Sequence, residues 1–560
     1  MGQERGFDPP PGNVRTDLIL AAIASLPLAL RYFAGVPNTV GTGDSAEFTV
    51  AFYTLGLAHP PGYPIYTLLG RLCSLVPVGT VAMRANLLSA ALASATLFLI
   101  FRIVARESYS IAKDRVLAYS GAAIAVAVAG ASVSFWKYAT VAEAYAPNVF
   151  AVVVFVYLML SWVRTGRAIF LYCSAFALGL SLGTHLSDVV MVAPFLVAVL
   201  VSTRSARVFA RSLGLLAVGA SQYIYVIIRV LERAGRVGPS GVPGVAPVAP
   251  AGNGSLSDAI LFIAGGPWRD AHARSLAAAW GKLAELGRFV RAEYAAAILV
   301  LALAGVALAV AMAVDRTTRS RGNLASASQG RAVPVHWGMP EWLVLVGVAL
   351  CQVVFYVLYG PSQIGMVLPL VVILAIFASL CVVVIATLSK RVFSGRLGSA
   401  VSRALAIVSL GLAVVWAGSQ TGPAPSSTEG PAELVTQMID SLPPGSFVDG
   451  VDYRYRMIVN YFRLVEGREV KFSMGSASSD SMAARLVAED KYFVLGVPMT
   501  LLRYQRADLR LEPYLVQDGA ASVYRLVASG ASEGSGRSVP DLQATRRRLE
   551  PRVTHQPRKR

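Results

Sequence analysis

The chain has 560 residues, of which 55% are hydrophobic and 15% charged. Soluble proteins carry about a quarter charged residues, so an ordinary soluble protein is excluded and the apolar excess must face lipid. The formal net charge of +18 does not indicate nucleic acid, because the basic residues sit in short loops between apolar runs and form no stripe with interleaved aromatics.

Taken in chain order, the apolar runs predict about eleven membrane spans, near 17–36, 83–104, 116–135, 147–163, 168–184, 187–203, 212–230, 292–314, 341–359, 364–388 and 404–420. Runs of this length carry a helix across roughly 30 Å of hydrocarbon. The first run follows Arg5 and Arg15 as a signal peptide would, but it lacks a small-residue cleavage site and is read as a span. With the N-terminus cytoplasmic, nineteen Lys or Arg fall in inner loops, against Lys137 alone in the short outer ones. The positive-inside rule then sets the N-terminus inside and the C-terminus outside.

Between the first two spans, Ile65, Leu68, Leu69, Leu72, Leu75 and Val76 recur at helical spacing, which predicts a helix lying along the interface or a buried connecting helix. Residues 231–291 open with a Gly/Pro/Ala-rich loop containing the sequon Asn253-Gly254-Ser255 and continue into an amphipathic stretch over 256–290. From about 425 the composition becomes soluble in character. Apolar runs at 446–449, 492–498 and 521–527 alternate with helical patterns near 431–442, 452–464 and 480–489, predicting a small α/β domain over 425–530. Residues 531–560 are Ser/Gly-rich and then Arg-rich, the composition of a disordered basic tail. Cys73, Cys173, Cys351 and Cys381 lie in apolar surroundings without metal-site spacing and are read as buried small hydrophobes.

The first outer loop holds the strongest chemical signal. In GTGDSAE at 41–47, Asp44 and Glu47 stand at i, i+3, so both carboxylates can point to one side of a helix start. Such a pair can take a proton from a hydroxyl nucleophile or hold a divalent cation that neutralises a leaving phosphate. The same spacing is also that of a helix cap. AHPPGYP at 58–64 follows, placing His59 and Tyr63 around a rigid turn. The second outer loop supplies Lys137, Tyr138, Glu143 and Tyr145, and His185 and Asp188 interrupt the next outward turn. Titratable groups therefore collect on one face of the membrane, where they are functional candidates.

GDSAEFTVAFYTLGLAHPPGYPIYTLLGRL resembles the opening signature of a multi-spanning family whose animal member is an endoplasmic-reticulum protein O-mannosyltransferase. TVAEAYAPN at 140–148, LGLSLGTHLS at 178–187, YIYVIIR ending at Arg229, FIAGGPWR at 262–269 and LPPGSFVDGVDYRYRMIVNYFRLVEGREV at 442–470 are similar to later pieces of that family, in the same order. The resemblance implies a mainly α, polytopic protein: a GT-C-like helical membrane domain over 1–424 with a small C-terminal α/β domain. It implies a glycosyltransferase that moves a sugar, mannose in the animal member, from a polyprenyl-phosphate donor to a hydroxyl on protein or glycan.

Carried over by position, Asp44 is the base or acceptor-orienting acid and Glu47 its partner, while His59, Tyr63, Glu143 and His185 would line the site. Arg84 and Arg229 are the basic residues best placed to meet the departing phosphate. Ile228, where the family has proline, and YGPSQIGMVLP at 359–369, without the family's acidic residue, bear on donor or acceptor preference rather than fold. No cofactor is indicated with certainty, and a single divalent ion on Asp44 and Glu47 is one option the acidic pair leaves open. The partners are the lipid-linked donor, a protein or glycan acceptor and membrane lipid, with no nucleic acid. The protein would reside in the cell membrane of a prokaryote or the endoplasmic reticulum of a eukaryote. Two other classes compete: a transporter or flippase of lipid-linked sugar, and a non-catalytic member that binds the donor or presents its C-terminal domain.

Overall fold

The computed structural model describes residues 13–41, 43–232, 254–265, 275–323, 341–359, 364–393, 395–420, 430–450, 453–475, 486–487, 489–496, 509–517 and 520–528. The basic tail and Asn253 lie outside them. Contacts divide the chain into two units, Met1–Asn38 with Ala51–Pro425, and Thr39–Val50 with Ser426–Arg560.

The larger unit is helical, and every apolar run falls on an apolar helix. Among the described residues seven helices are long and apolar enough to cross a membrane: Val14–Ala34, Val81–Ala112, Tyr145–Thr165, Leu186–Thr203, Glu341–Leu358, Gly365–Lys390 and Gly395–Ser419. Two further runs are broken spans, Arg115–Gly130 with Val133–Thr140, bent by 70°, and Ala206–Ala220 with Tyr223–Leu231, bent by 43°. The remaining two, Ala168–Ser181 and Ala296–Ala311, are apolar but shorter. The expected eleven thus become seven full spans, or up to nine if each bent pair is one. The protein is a multi-pass membrane protein.

Gly365–Lys390 is the central helix, with 83% of its apolar window buried. Glycine admits two of the closest approaches. A Cβ at Gly179 would stand 2.1 Å from the Leu216 carbonyl oxygen, and one at Gly305 would stand 2.4 Å from that of Phe377. Helices without a hydrophobic drive between them associate through such small-residue contacts. Four buried carboxylates are held: Asp17 by the Tyr119 hydroxyl at 2.7 Å, Glu107 by Arg164, Asp188 by the Asn148 amide at 2.9 Å, and Glu293 by the Ser134 amide at 3.1 Å. The cysteine expectation needs correction, since only Cys381 is buried and Cys173 is exposed. A spanning bundle has an apolar exterior as well as an apolar core, so apolar surroundings in the sequence do not distinguish the two.

In the second unit the sheet runs β2-β1-β3-β5-β4, with β1 Phe447–Asp449, β2 Ser473–Gly475, β3 Tyr492–Leu495, β4 Leu509–Gln517 and β5 Ala520–Ala528. β1 pairs parallel with β2 and β3, and β5 pairs antiparallel with β3 and β4. Alternation along β1, β3 and β5 sends Val448, Phe493, Leu495 and Val523 to one face, where they pack with Leu434, Met438 and Leu442. Phe447, Tyr492, Val494 and Leu526 face the other way, with Leu486. The helices Gly430–Ser441 and Tyr453–Leu464 match two of the three predicted ones, and the third, near 480–489, lies mostly outside the described residues. β2 and β4 carry no run strong enough to be read in the sequence.

Candidate functional site

The acidic pair stands where a loop turns into the Ser45–Thr54 helix. Gly43 takes φ +86°, the left-handed region that glycine tolerates. The Ser45 hydroxyl accepts from the Gly41 amide at 3.1 Å, and the Phe48 amide donates to the Asp44 carbonyl at 2.9 Å, starting the helix. Glu47 is one turn in and only 4% exposed, while Asp44 is half-buried. Their carboxylate oxygens lie within 4.8 Å of each other. Two carboxylates so close offer oxygen ligands to a hard cation or share a proton.

A third group joins them that sequence reasoning missed. The half-buried Tyr453 begins the Tyr453–Leu464 helix, and its phenol hydrogen-bonds the Glu47 carboxylate. Burial, then the charges of Glu47 and Asp44 together with that hydrogen bond, hold the phenol well above the usual tyrosine range, so it stays protonated and donates. It follows β1 closely. Asp449, at the end of β1, accepts from the Tyr492 hydroxyl at 3.1 Å and from the Gly450 amide at 2.6 Å, fixing the chain as it leaves the strand.

The next loop, 55–63, belongs to the larger unit. Leu55 leaves the helix with φ +50°, and its carbonyl is a focus for donors. Arg229 gives it two guanidinium hydrogen bonds, the Nε one at 2.7 Å, and pairs its third nitrogen with Glu232 at 2.8 Å. The Tyr225 hydroxyl lies 2.8 Å from the carbonyls of Leu55 and Gly56. Gly62, at φ +93°, suits glycine, because another residue would be strained there and its Cβ would sit tightly, 3.1 Å from Val226 and 3.2 Å from Phe262. Leu57, Val226, Val230, Ala259 and Phe262 pack around it. The His59 Nε2 lies 3.0 Å from the Tyr63 hydroxyl.

Tyr63 leads from this turn to a cluster of rings. Its centroid is 6.0 Å from that of His185, which stands 5.8 Å from Tyr145 and 6.4 Å from Phe355; Phe355 stacks on Tyr359 at 5.1 Å. His185 is 5% exposed. The Ser187 amide donates to its Nδ1 at 3.2 Å, which leaves the ring proton on Nε2. Burial, and then the nearby His59, push its pKa down to about 3, so the ring is neutral. The Gln222 amide, at the bend of the Ala206–Ala220 and Tyr223–Leu231 pair, reaches the carbonyls of Gly179 and Leu180, and the Tyr223 hydroxyl donates to that of Leu182. These bonds hold the turn that presents His185. A cavity of about 410 Å³ opens here, walled mainly by Pro60, Pro61, Tyr63, His185, Phe355 and Tyr359. Its walls suit an apolar chain or the face of a sugar ring.

Glu143 and Arg84 also belong to the larger unit. Glu143 is buried, and its charge is felt by Tyr66. Asn86 positions its loop by donating to the Pro37 carbonyl at 3.1 Å and accepting from the Ala142 amide at 2.8 Å. Arg84 is spent on backbone, with hydrogen bonds to the carbonyls of Ser74, Gly79 and Thr80. The structure therefore groups Asp44 and Glu47 with Tyr453, and His59 and Tyr63 with His185. Arg229 clamps the loop that carries His59. Tyr225, Phe355 and Tyr359 are the unread members; aromatic residues in an apolar span carry no sequence mark separating a cavity wall from a packed core.

Residues 44–208 match the model of the family described as the Protein O-mannosyl-transferase TMEM260 N-terminal domain. The mouse (Mus musculus) protein O-mannosyl-transferase TMEM260 is 35% identical over 138 residues, 24% of this chain and 17% of the mouse protein. The match thus spans about a sixth of that relative's length. Among solved structures, the chain is similar to ArnT from Cupriavidus metallidurans bound to undecaprenyl phosphate, at 13% identity and a TM-score of 0.49, covering 93% of this chain and 100% of that one. It is also similar to the S. cerevisiae protein O-mannosyltransferase Pmt1-Pmt2 complex bound to the sugar donor, at 15% identity and a TM-score of 0.30, covering 40% and 36%. Both scores fall below 0.5, and neither likeness carries weight here.

Proposed function

We propose, starting from the family that residues 44–208 match, that the chain is a membrane glycosyltransferase. It would move a sugar, mannose in the first instance, from a polyprenyl-phosphate donor to a hydroxyl of a protein or glycan at the outer face of the membrane. The observation that carries this reading is that the matched stretch begins at Asp44 and contains the close acidic pair together with His59, Tyr63, Arg84, Glu143 and His185.

In the proposed reaction the acceptor oxygen attacks the anomeric carbon. The Asp44 carboxylate takes the hydroxyl proton, the bond from the anomeric carbon to the phosphate oxygen breaks, and polyprenyl phosphate leaves with the bonding pair. Glu47 keeps the local field negative, which favours proton transfer from the acceptor or a divalent ion at the leaving phosphate. The cavity walled by Tyr63, His185 and Phe355 offers the donor stacking surfaces and a neutral imidazole N–H, a donor that does not lose its proton at physiological pH. Arg84 and Arg229 serve the loops first, since their guanidinium groups already bond backbone carbonyls. A transporter or flippase would need ionisable groups along a path through the membrane; Asp17, Glu107, Asp188 and Glu293 are instead each held by a partner.

Membranes from cells expressing the protein, supplied with radiolabelled polyprenyl-phosphate mannose, provide the test, since the membranes bring their own acceptor. Wild-type membranes should transfer label to protein or glycan above gene-deleted controls, and Asp44→Asn should lower the rate by roughly 10² or more, the loss typical of a general base. No transfer above control, or an Asp44→Asn rate equal to wild type, overturns the reading.

A further inference from the structure

The α/β domain shares a unit with the acidic pair. In its contacts the Thr39–Val50 segment goes with residues 426–560 rather than with the helices on either side of it in the chain. Within that unit the Tyr453 phenol hydrogen-bonds the buried Glu47 carboxylate, and Tyr453 stands at the start of a helix whose entry is pinned by Asp449. A phenol O–H donates a single directed hydrogen bond, and one given to a carboxylate can fix that group's orientation.

We infer that Tyr453 is a positioning residue for the acidic pair, holding Glu47 so that Asp44 faces the acceptor, and that the C-terminal domain thereby supports the acidic pair of its own unit. The inference rests on the proposed glycosyltransferase reading. Glu47 sits one turn into its helix and is buried, where a hydrogen bond to its carboxylate is worth more than one in water and helps fix the direction of its charge. The domain has a second consequence. Because β1, β2 and β3 are parallel, the chain leaves β1 at the sheet edge where parallel folds place functional loops, and Tyr453 follows from that edge.

The test uses the full chain in membranes with radiolabelled polyprenyl-phosphate mannose. Tyr453→Phe should lower kcat about tenfold, the loss expected for one hydrogen bond to a charged group, while the apparent KM for the donor stays within about twofold. In the Glu47→Gln background the same substitution should have no further effect, because the group it orients is gone. A Tyr453→Phe enzyme with wild-type kcat, or equal losses in both backgrounds, overturns the inference. A second measurement stands apart from turnover. In a chain with Glu47→Cys and Tyr453→Cys, a bis-maleimide long enough to replace the two side chains should join 47 and 453, seen as one cross-linked peptide by mass spectrometry, where a direct disulfide is too short; its absence in folded protein overturns the placement. Failure of the glycosyltransferase reading would show differently, as wild-type membranes that transfer no label although the cross-link forms.

Discussion

Asp44 can be a base or a helix start, and one substitution separates the two. Asparagine is as good a cap as aspartate but cannot accept the acceptor's proton. A cap alone predicts an Asp44→Asn protein with unchanged thermal stability and unchanged transfer; the proposed role predicts unchanged stability with transfer down roughly 10². His185 makes a prediction of a different kind. Its folded pKa of about 3 lies below the ordinary histidine value of 6.5, so the unfolded chain binds a proton that the folded one refuses. That term is fully present above about pH 6.5 and is lost progressively as the pH falls toward 3. Thermal unfolding in detergent should therefore drop between pH 7.5 and pH 5 by a few degrees more for wild type than for His185→Gln. Equal slopes for the two proteins would show that the ring is not buried neutral.

Loops and helix pairs set the precision of the site. Arg229 and Tyr225 converge on the Leu55 carbonyl. If Arg229 is a clamp, Arg229→Ala lowers thermal stability, by about 1–2 kcal/mol for a half-exposed charged hydrogen bond, and does so less in the Tyr225→Phe background. If it binds donor phosphate instead, stability holds and the donor KM rises. The helix pair Ala168–Ser181 and Ala206–Ala220 gives a sharper contrast. Any side chain at Gly179 collides with the Leu216 carbonyl, whereas Gly214 on the same pair has nothing within 4 Å of a built Cβ. Gly179→Ala should yield little folded protein on size exclusion. Gly214→Ala should behave as wild type or slightly better, since alanine favours the helix by up to about 1 kcal/mol.

For the whole molecule the outstanding proposal is orientation. The loop-charge bias puts residues 425–560 outside the cytoplasm, so in sealed cells an impermeant thiol reagent should label Ser426→Cys and spare Ser320→Cys; the opposite pattern would invert the topology. The membrane class, the apolar runs, three of the five strands and the polar signature around Asp44, His59 and Tyr63 were legible from residue order. Hydropathy and period-two alternation are local properties that any short window reveals. So were Glu143 and His185, since an ionisable group among apolar ones is conspicuous wherever it stands. What residue order could not carry was company. That Arg84 and Arg229 spend their donors on loop carbonyls, that Cys173 faces outward, that two runs break into bent pairs and that Tyr453 bonds Glu47 all depend on neighbours far apart in the chain. Glu47 and Tyr453 are separated by some four hundred residues, and no propensity or spacing rule acts over that distance. Only the folded chain, which must give a buried carboxylate a donor, decides which tyrosine supplies it.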